Sequence, residues 1–357
     1  MRPYRYVSSV EQLATHLRGE IHRGELVGEM PGVDRLAAML GCSQRTVLGA
    51  LTLLEHEGLL VKQGAGRRSR ITPESGNAAR SLRVAILLCL AEDIRLDYIV
   101  DLQHQLEKEG HAVIFPNRSL SEMKMDLKKV SRLVAATKAD AWVLEGASRE
   151  VLAWISKQTM PAFALFGRRH GLPVAGIGPD KVKAYRHVAR HLLGLGHRRI
   201  VLLARPSRLI PTPGLPERAF LDELDQAGIQ TGSYNLPQWD GTVDDLHRRI
   251  DAIYRLTPPT ALIIDESPVF LSVQHHLARR HIFAPDDVSL VCTDGDPHFT
   301  AMRPSVAHIQ WSGAPMVRRI VRWAGLVARG TDDRRQSVTR TTLVEGGTIG
   351  PPAGEWK

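Results

Sequence analysis

The chain has 357 residues, 43% of them hydrophobic, and carries 47 lysines and arginines against 38 aspartates and glutamates for a formal net charge of +9. This length and apolar content exclude a disordered chain and leave room for two or three globular units, while the positive balance favours a polyanionic partner. The three cysteines, Cys42, Cys89 and Cys292, are odd in number and set far apart among apolar neighbours, which argues against a disulfide framework or a zinc cluster and for free buried thiols.

Ser8 and Glu11 have capping-box spacing, and Val10, Leu13, Ala14, Leu17 and Ile21 follow on one helical face, predicting a first helix. Leu36, Ala37 and Leu40 predict a second, shorter helix, and Gly41 supplies the positive φ that a tight inter-helix turn needs. Ser43 then caps a third helix whose Val47, Ala50, Leu51 and Leu54 face inward until Gly58 ends it. Gln44, Arg45 and Thr46 are left exposed in the first turn, where a recognition helix presents side chains to base edges in the major groove. Two strand-like segments, Leu59 to Gln63 and Arg67 to Ile71, flank a Gly64-Ala65-Gly66 hairpin. Lys62, Arg67, Arg68 and Arg70 put positive charge where such a wing would meet phosphates or the minor groove, although a solvated basic hairpin has the same composition. Residues 1–72 therefore read as an α+β winged helix-turn-helix, with Ser43, Gly64 and Gly66 counted with these side chains at the DNA face.

The run GVDRLAAMLGCSQRTVLGALTLLEHEGLLVKQGAGRRSRI, from Gly32, resembles the GntR family of bacterial transcription factors. That resemblance implies a DNA contact by the arginine that opens the second helix, here Arg35, one place later than the family's. The family's usual arginine after the capping serine is Gln44 here, and its later Arg-Glu pair is Leu48-Gly49, so the resemblance carries over the architecture but not the operator sequence.

The polar stretch from Thr72 to Leu82, with Pro73 and Gly76, marks a boundary, and residues 73–82 read as a linker. Val84 to Leu90 is an unbroken apolar run of the kind found in buried parallel strands, and helical periodicity follows from Tyr98 to Glu109. Further strands near Ala112 to Phe115, Ala141 to Leu144, Ala162 to Phe166, Ile200 to Ala204, Ala261 to Asp265 and Ser289 to Thr293 alternate with amphipathic stretches, which is a parallel α/β pattern. Residues 83–350 exceed what one open sheet needs, so two lobes are expected, with ligands beyond the carboxyl ends of the strands.

This part resembles the two-lobed, periplasmic-binding-protein-like effector domain of the LacI/GalR family, through Gly196-His-Arg-Arg-Ile200, Arg218-Ala-Phe220 and Pro285-Asp-Asp-Val-Ser-Leu290 leading to Asp294. The resemblance implies that Arg218 and Asp294 hold polar groups of a ligand, typically sugar hydroxyls; an interlobe salt bridge or a helix cap is the bland alternative. Asp265 and Glu266 end an apolar strand where the family has an Asn-Asp pair, and Trp311 and Trp239 are candidates to stack on a ligand or to pack in the core. Arg168 in Phe166-Gly-Arg168-Arg169-His170 matches a common family arginine, with a structural role equally open. Crossovers between lobes are expected near Gly176 to Asp180, near Thr257 to Pro259 or Asp294 to His298, and near Ser305 to His308. A helix from Ala314 to Arg329 and a strand from Thr339 to Glu345 would return to the first lobe.

No phosphate-binding glycine loop, dinucleotide fingerprint, nucleophile elbow or His-Glu-x-x-His motif is present, and His275-His276 point to different faces of a helix, so neither catalysis, a cofactor nor a metal is expected. No apolar run is long enough to span a bilayer and the N-terminus lacks a signal-peptide core, which predicts a cytoplasmic protein with no membrane partner. The combined reading is a regulator, by expectation a repressor, that binds double-stranded operator DNA as a homodimer and responds to a small polar effector, a sugar first of all. The alternatives are a DNA-binding regulator without an effector and an enzyme built on the α/β part.

Overall fold

The computed structural model describes residues 9–22, 25–64, 68–71, 80–210 and 212–352. The hairpin-tip residues Ala65, Gly66 and Arg67, the expected capping residue Ser8 and most of the linker, 72–79, lie outside the described residues.

Three helices open the chain: α1 (Ser9–His22), α2 (Val33–Leu40) and α3 (Gln44–His56). Gly41 ends α2 in the left-handed region at φ 62°, and the chain turns by 112° between the α2 and α3 axes. Ser43 caps α3, its Oγ accepting from the Thr46 amide at 3.1 Å. Strands β1 (Leu60–Val61) and β2 (Arg70–Ile71) pair antiparallel, and a bridge from Glu29 to Arg70 adds a third segment that sequence periodicity had not marked. Ala14, Leu17, Met30, Leu36, Val47, Ala50, Leu54 and Leu60 close one small core under these elements. Gly49 sits where α1 crosses α3, and a Cβ there would lie 3.0 Å from Val10 Cγ1.

The remaining elements are β3 (Arg83–Leu87), α4 (Asp97–Lys108), β4 (Ala112–Ile114), α5 (Leu127–Ala136), β5 (Ala141–Glu145), α6 (Arg149–Ile155), β6 (Ala162–Leu165) and β7 (Ala175–Pro179). They are followed by α7 (Lys181–Gly194), β8 (Ile200–Leu203), a short helix α8 (Pro206–Leu209), α9 (Leu215–Gln226), α10 (Val243–Leu256), β9 (Ala261–Ile264), α11 (Ser267–Ala278), β10 (Ser289–Cys292) and β11 (Ala307–Trp311). Last come α12 (Ala314–Ala328), β12 (Gln336–Thr339) and β13 (Thr341–Val344).

The chain divides into two compact units: residues 1–176 with 313–336, and residues 177–312 with 337–357. In the first, the sheet order is β12-β7-β6-β5-β3-β4, with β4, β3, β5 and β6 parallel. Its core includes Leu87, Trp142, Leu144, Val151 and Ala164. In the second, the order is β13-β11-β10-β9-β8, parallel except for β13, which runs antiparallel to β11. Strands β8, β9 and β10 are buried on both faces, which is why they read as continuous apolar runs.

Of the expected crossovers, the one near Gly176 holds, since the chain changes unit between Gly176 and Ile177. The others do not: the chain leaves the second unit between Ser312 and Gly313 and returns between Gln336 and Ser337. Residues 257–259 and 305–308 instead feed β9 and β11 of one sheet. A loop between strands has the same local composition whether it crosses or not, so composition could not separate the cases. The strand expected over Thr339 to Glu345 is two strands broken at Arg340: β12 joins the first sheet and β13 the second.

Candidate functional site

The carboxyl edge of the second unit's sheet carries a dense charged cluster. Asp265 follows β9 directly and is 1% exposed. Its Oδ1 accepts from Tyr185 OH at 2.9 Å and Arg208 NH1 at 3.1 Å, and Lys181 Nζ lies 3.5 Å away. Its Oδ2, also buried, lies 4.0 Å from Arg205 Nε and has no hydrogen-bond partner among the described residues. Arg208 also donates to Glu217 Oε1 at 2.8 Å, and Arg205 NH2 meets Glu266 Oε1 at 2.5 Å. Thr293, after β10, donates to the Asp265 carbonyl at 3.0 Å. Beside it, Asp294 accepts from the Trp311 indole N–H at 2.6 Å and stands 3.7 Å from Lys181 Nζ.

Local sequence explains each placement. Arg205, Asp265 and Thr293 each begin the loop after a buried parallel strand, where side chains emerge from the sheet. Lys181 and Tyr185 stand four apart in the first turns of α7 and so share a face. Burial by itself would raise the Asp265 carboxyl, but the Arg208, Lys181 and Arg205 cations and the Tyr185 hydroxyl hold it well below the usual carboxylate range. Burial and the Asp265 charge push the Tyr185 phenol well up. Glu266 goes the other way: burial pushes its carboxyl up to about 7, opposed by Arg205 and reinforced by Asp265.

Of the predicted effector residues, Asp265, Glu266, Asp294 and Trp311 meet in this cluster. Arg218 does not: Glu217 turns inward to Arg208, while Arg218, about 100° further round the helix, is exposed and no hydrogen bond or ion pair among the described residues joins it to the cluster. Trp239 packs against the second unit's core and donates its indole N–H to the Ala204 carbonyl at 2.8 Å. Sequence reasoning missed Lys181, Tyr185, Arg205 and Arg208. Arg205 had the same signal as Asp265, a charged residue directly after an apolar strand; the other pairings join segments 57 to 84 residues apart and left no local trace.

In the first unit, Arg169 after β6 is largely buried, donates to the Phe166 carbonyl at 3.3 Å and has its pKa lowered by burial to about 10, while Gly176 leaves room for its stem. Gln336 donates to the carbonyls of Arg169, Leu172 and Val174, so this turn is held as structure. Phe166, at φ 60°, meets Tyr98 edge-on at 5.7 Å.

On the N-terminal helices, Gln44 and Arg45 are exposed at the start of α3, with Gln44 Nε2 donating to Asp34 Oδ1 at 2.6 Å. Ser43 and Thr46 are engaged with each other in the cap, their hydroxyls 2.8 Å apart. Arg35, Arg68 and Arg70 are exposed; Lys62 reaches Glu55 at 3.0 Å; Gly64 has φ 109° as a tight turn requires. Gly66 and Arg67 lie outside the described residues. Among the described residues no group of histidines, cysteines and acids could hold a metal ion, and no single helix is long and apolar enough to cross a membrane.

Residues 189–349 match the family model for a periplasmic binding protein-like domain. An HTH-type transcriptional regulator of Mycolicibacterium smegmatis is 25% identical over 325 residues, which is 80% of this chain and 83% of that one. Among solved structures, a LacI family transcriptional regulator from Mycobacterium smegmatis superposes with a TM-score of 0.62 at 18% identity, covering 76% of this chain and 100% of that one. The transcriptional regulator CelR in complex with cellobiose gives 0.62 at 16% identity, covering 89% and 100%. A LacI family regulator from Enterococcus faecium with bound ribose gives 0.59 at 15%, covering 75% and 99%. The α/β part of the chain therefore has the periplasmic-binding-protein-like fold of LacI-family regulators.

Proposed function

We propose that this protein is a sequence-specific DNA-binding transcriptional regulator, a repressor, controlled by a small polar effector, with a sugar as the first class to test. The observation that carries the reading is the pairing of two surfaces in one chain. One is the exposed start of α3 with Gln44 and Arg45, in an N-terminal part that also exposes Arg35, Arg68 and Arg70; the other is the polar cluster of Asp265, Glu266, Asp294 and Trp311 at the carboxyl edge of a parallel sheet. The likeness to regulators with bound ribose or cellobiose supports a sugar as ligand. The N-terminal part is taken as a winged helix-turn-helix of GntR type, supported by the turn at Gly41, the Ser43 cap and the β1–β2 pair. Reading a palindromic operator calls for a homodimer acting in the cytoplasm, without cofactor or catalysis.

The test is binding of the full chain to fragments of its own upstream region, with and without a panel of monosaccharides. Specific binding released by one sugar is the expected result. Specific binding untouched by every sugar would favour a regulator without this kind of effector. One observation points to that second reading: Asp265 and Glu266 are already ion-paired within the chain.

A further inference from the structure

From the geometry of α3 we infer that Leu48 reads the 5-methyl group of thymine in the major groove and so sets the operator preference; the inference rests on the DNA-binding reading. Val47, Ala50 and Leu54 of α3 are fully buried in the N-terminal core, and Gly49 packs against Val10. Leu48, by contrast, is 54% exposed and is the only large apolar side chain that α3 exposes among the described residues. It stands four residues after Gln44 and three after Arg45, so the three side chains form one strip on the outer helix face.

That strip is polar at its N-terminal end and apolar one turn later. The exposed cations of the same N-terminal part, Arg35, Arg45, Arg68 and Arg70, fit a polyanion rather than an apolar protein partner. A duplex offers one apolar feature in its major groove, the thymine methyl, and Leu48 is the side chain placed to cover it. Gln44 complements this: its amide N–H is held by Asp34, which leaves the carbonyl end of the same amide as an acceptor.

The experiment selects preferred duplexes from a random pool with the full-length protein. Thymine is then replaced by deoxyuridine, which lacks only the methyl, at each position of the selected site. For the unaltered protein one thymine position is expected to lose about fourfold in affinity, the worth of one buried methyl group. Leu48→Ala should bind the thymine and deoxyuridine duplexes equally, and Leu48→Met should restore the difference. Equal sensitivity to methyl removal in the Leu48→Ala protein overturns the inference, as does a selected site with no methyl-sensitive position. If the unaltered protein enriches no sequence and shows no salt-dependent binding to any duplex, the DNA-binding reading itself fails. A site enriched through Arg45 alone would remove Leu48 and leave that reading standing. Leu48 is exposed, so its variants are expected to melt with the parent, and a melting curve checks this.

Discussion

Asp265 shows how one side chain can organise the carboxyl edge of a sheet. It collects Tyr185 and Lys181 of α7, Arg208 of α8 and Thr293 after β10, three separate segments, around a single buried carboxylate. Removing it leaves Arg208 and Lys181 without their shared acceptor. Asp265→Ala should therefore destabilise the second unit by about 3 to 5 kcal/mol, the range for breaking a buried ion pair, measured by denaturant unfolding. Asp294 is more open and two partners hold it among the described residues, so Asp294→Ala should leave the unfolding midpoint near that of the parent and, under the proposed function, abolish release of DNA by the effector. Glu266 gives a pH signature. Its folded pKa of about 7 lies above the ordinary 4.5, so the folded state holds a proton that the unfolded chain has released between these values. Its contribution to stability is fully present below about 4.5 and is lost as pH rises through 7. Glu266→Gln should flatten that slope in melting curves taken across this window; an unchanged slope would assign it to another group.

At the scale of elements, the N-terminal helices rest on a cap and a close approach. Ser43→Ala removes the acceptor for the Thr46 amide and should cost about 1 kcal/mol, read from thermal unfolding of the full chain. Gly49→Ala would ordinarily gain about 1 kcal/mol of helix propensity. Here the added methyl meets Val10, so the gain should vanish in the parent and reappear in a Val10→Ala background. These helices were legible in the sequence because caps, glycine turns and apolar periodicity are local signals. The α/β strands were legible for a similar reason, since double burial leaves unbroken apolar runs such as Val84 to Leu90. The bridge of Glu29 to Arg70, the split of β12 from β13 at Arg340 and the ion pair of Arg208 with Asp265 were not, because each depends on a partner distant in the chain.

Across the whole molecule, each α/β unit buries a neutral histidine at its amino edge. In the first, His111 Nδ1 accepts from the Leu82 amide at 3.3 Å. In the second, His197 is fully buried with Nε2 2.9 Å from the Gly350 carbonyl, which fixes that nitrogen as the donor, and Nδ1 2.9 Å from the Thr260 hydroxyl. Burial lowers both below 6.5, so the unfolded chain takes up protons first as pH falls. Stability from these groups is present above 6.5 and is lost as pH drops through their folded values. Thermal unfolding followed from pH 7.5 to 5.5 in the Glu266→Gln chain, where the opposing slope is removed, should show this loss, and its persistence when His111→Gln and His197→Gln are added would refute the assignment. The chain's path between the units has a further consequence, for synthesis. Residues 9–71 are contiguous, so the N-terminal helices can fold soon after they emerge from a ribosome. Neither α/β unit has that freedom: the first waits for α12 and β12, and the second for β13 and the segment around Thr348, whose hydroxyl donates to the Leu290 carbonyl and accepts from the Ala307 amide. A nascent chain stalled before Ala307 would thus present finished N-terminal helices tethered to two unfinished sheets.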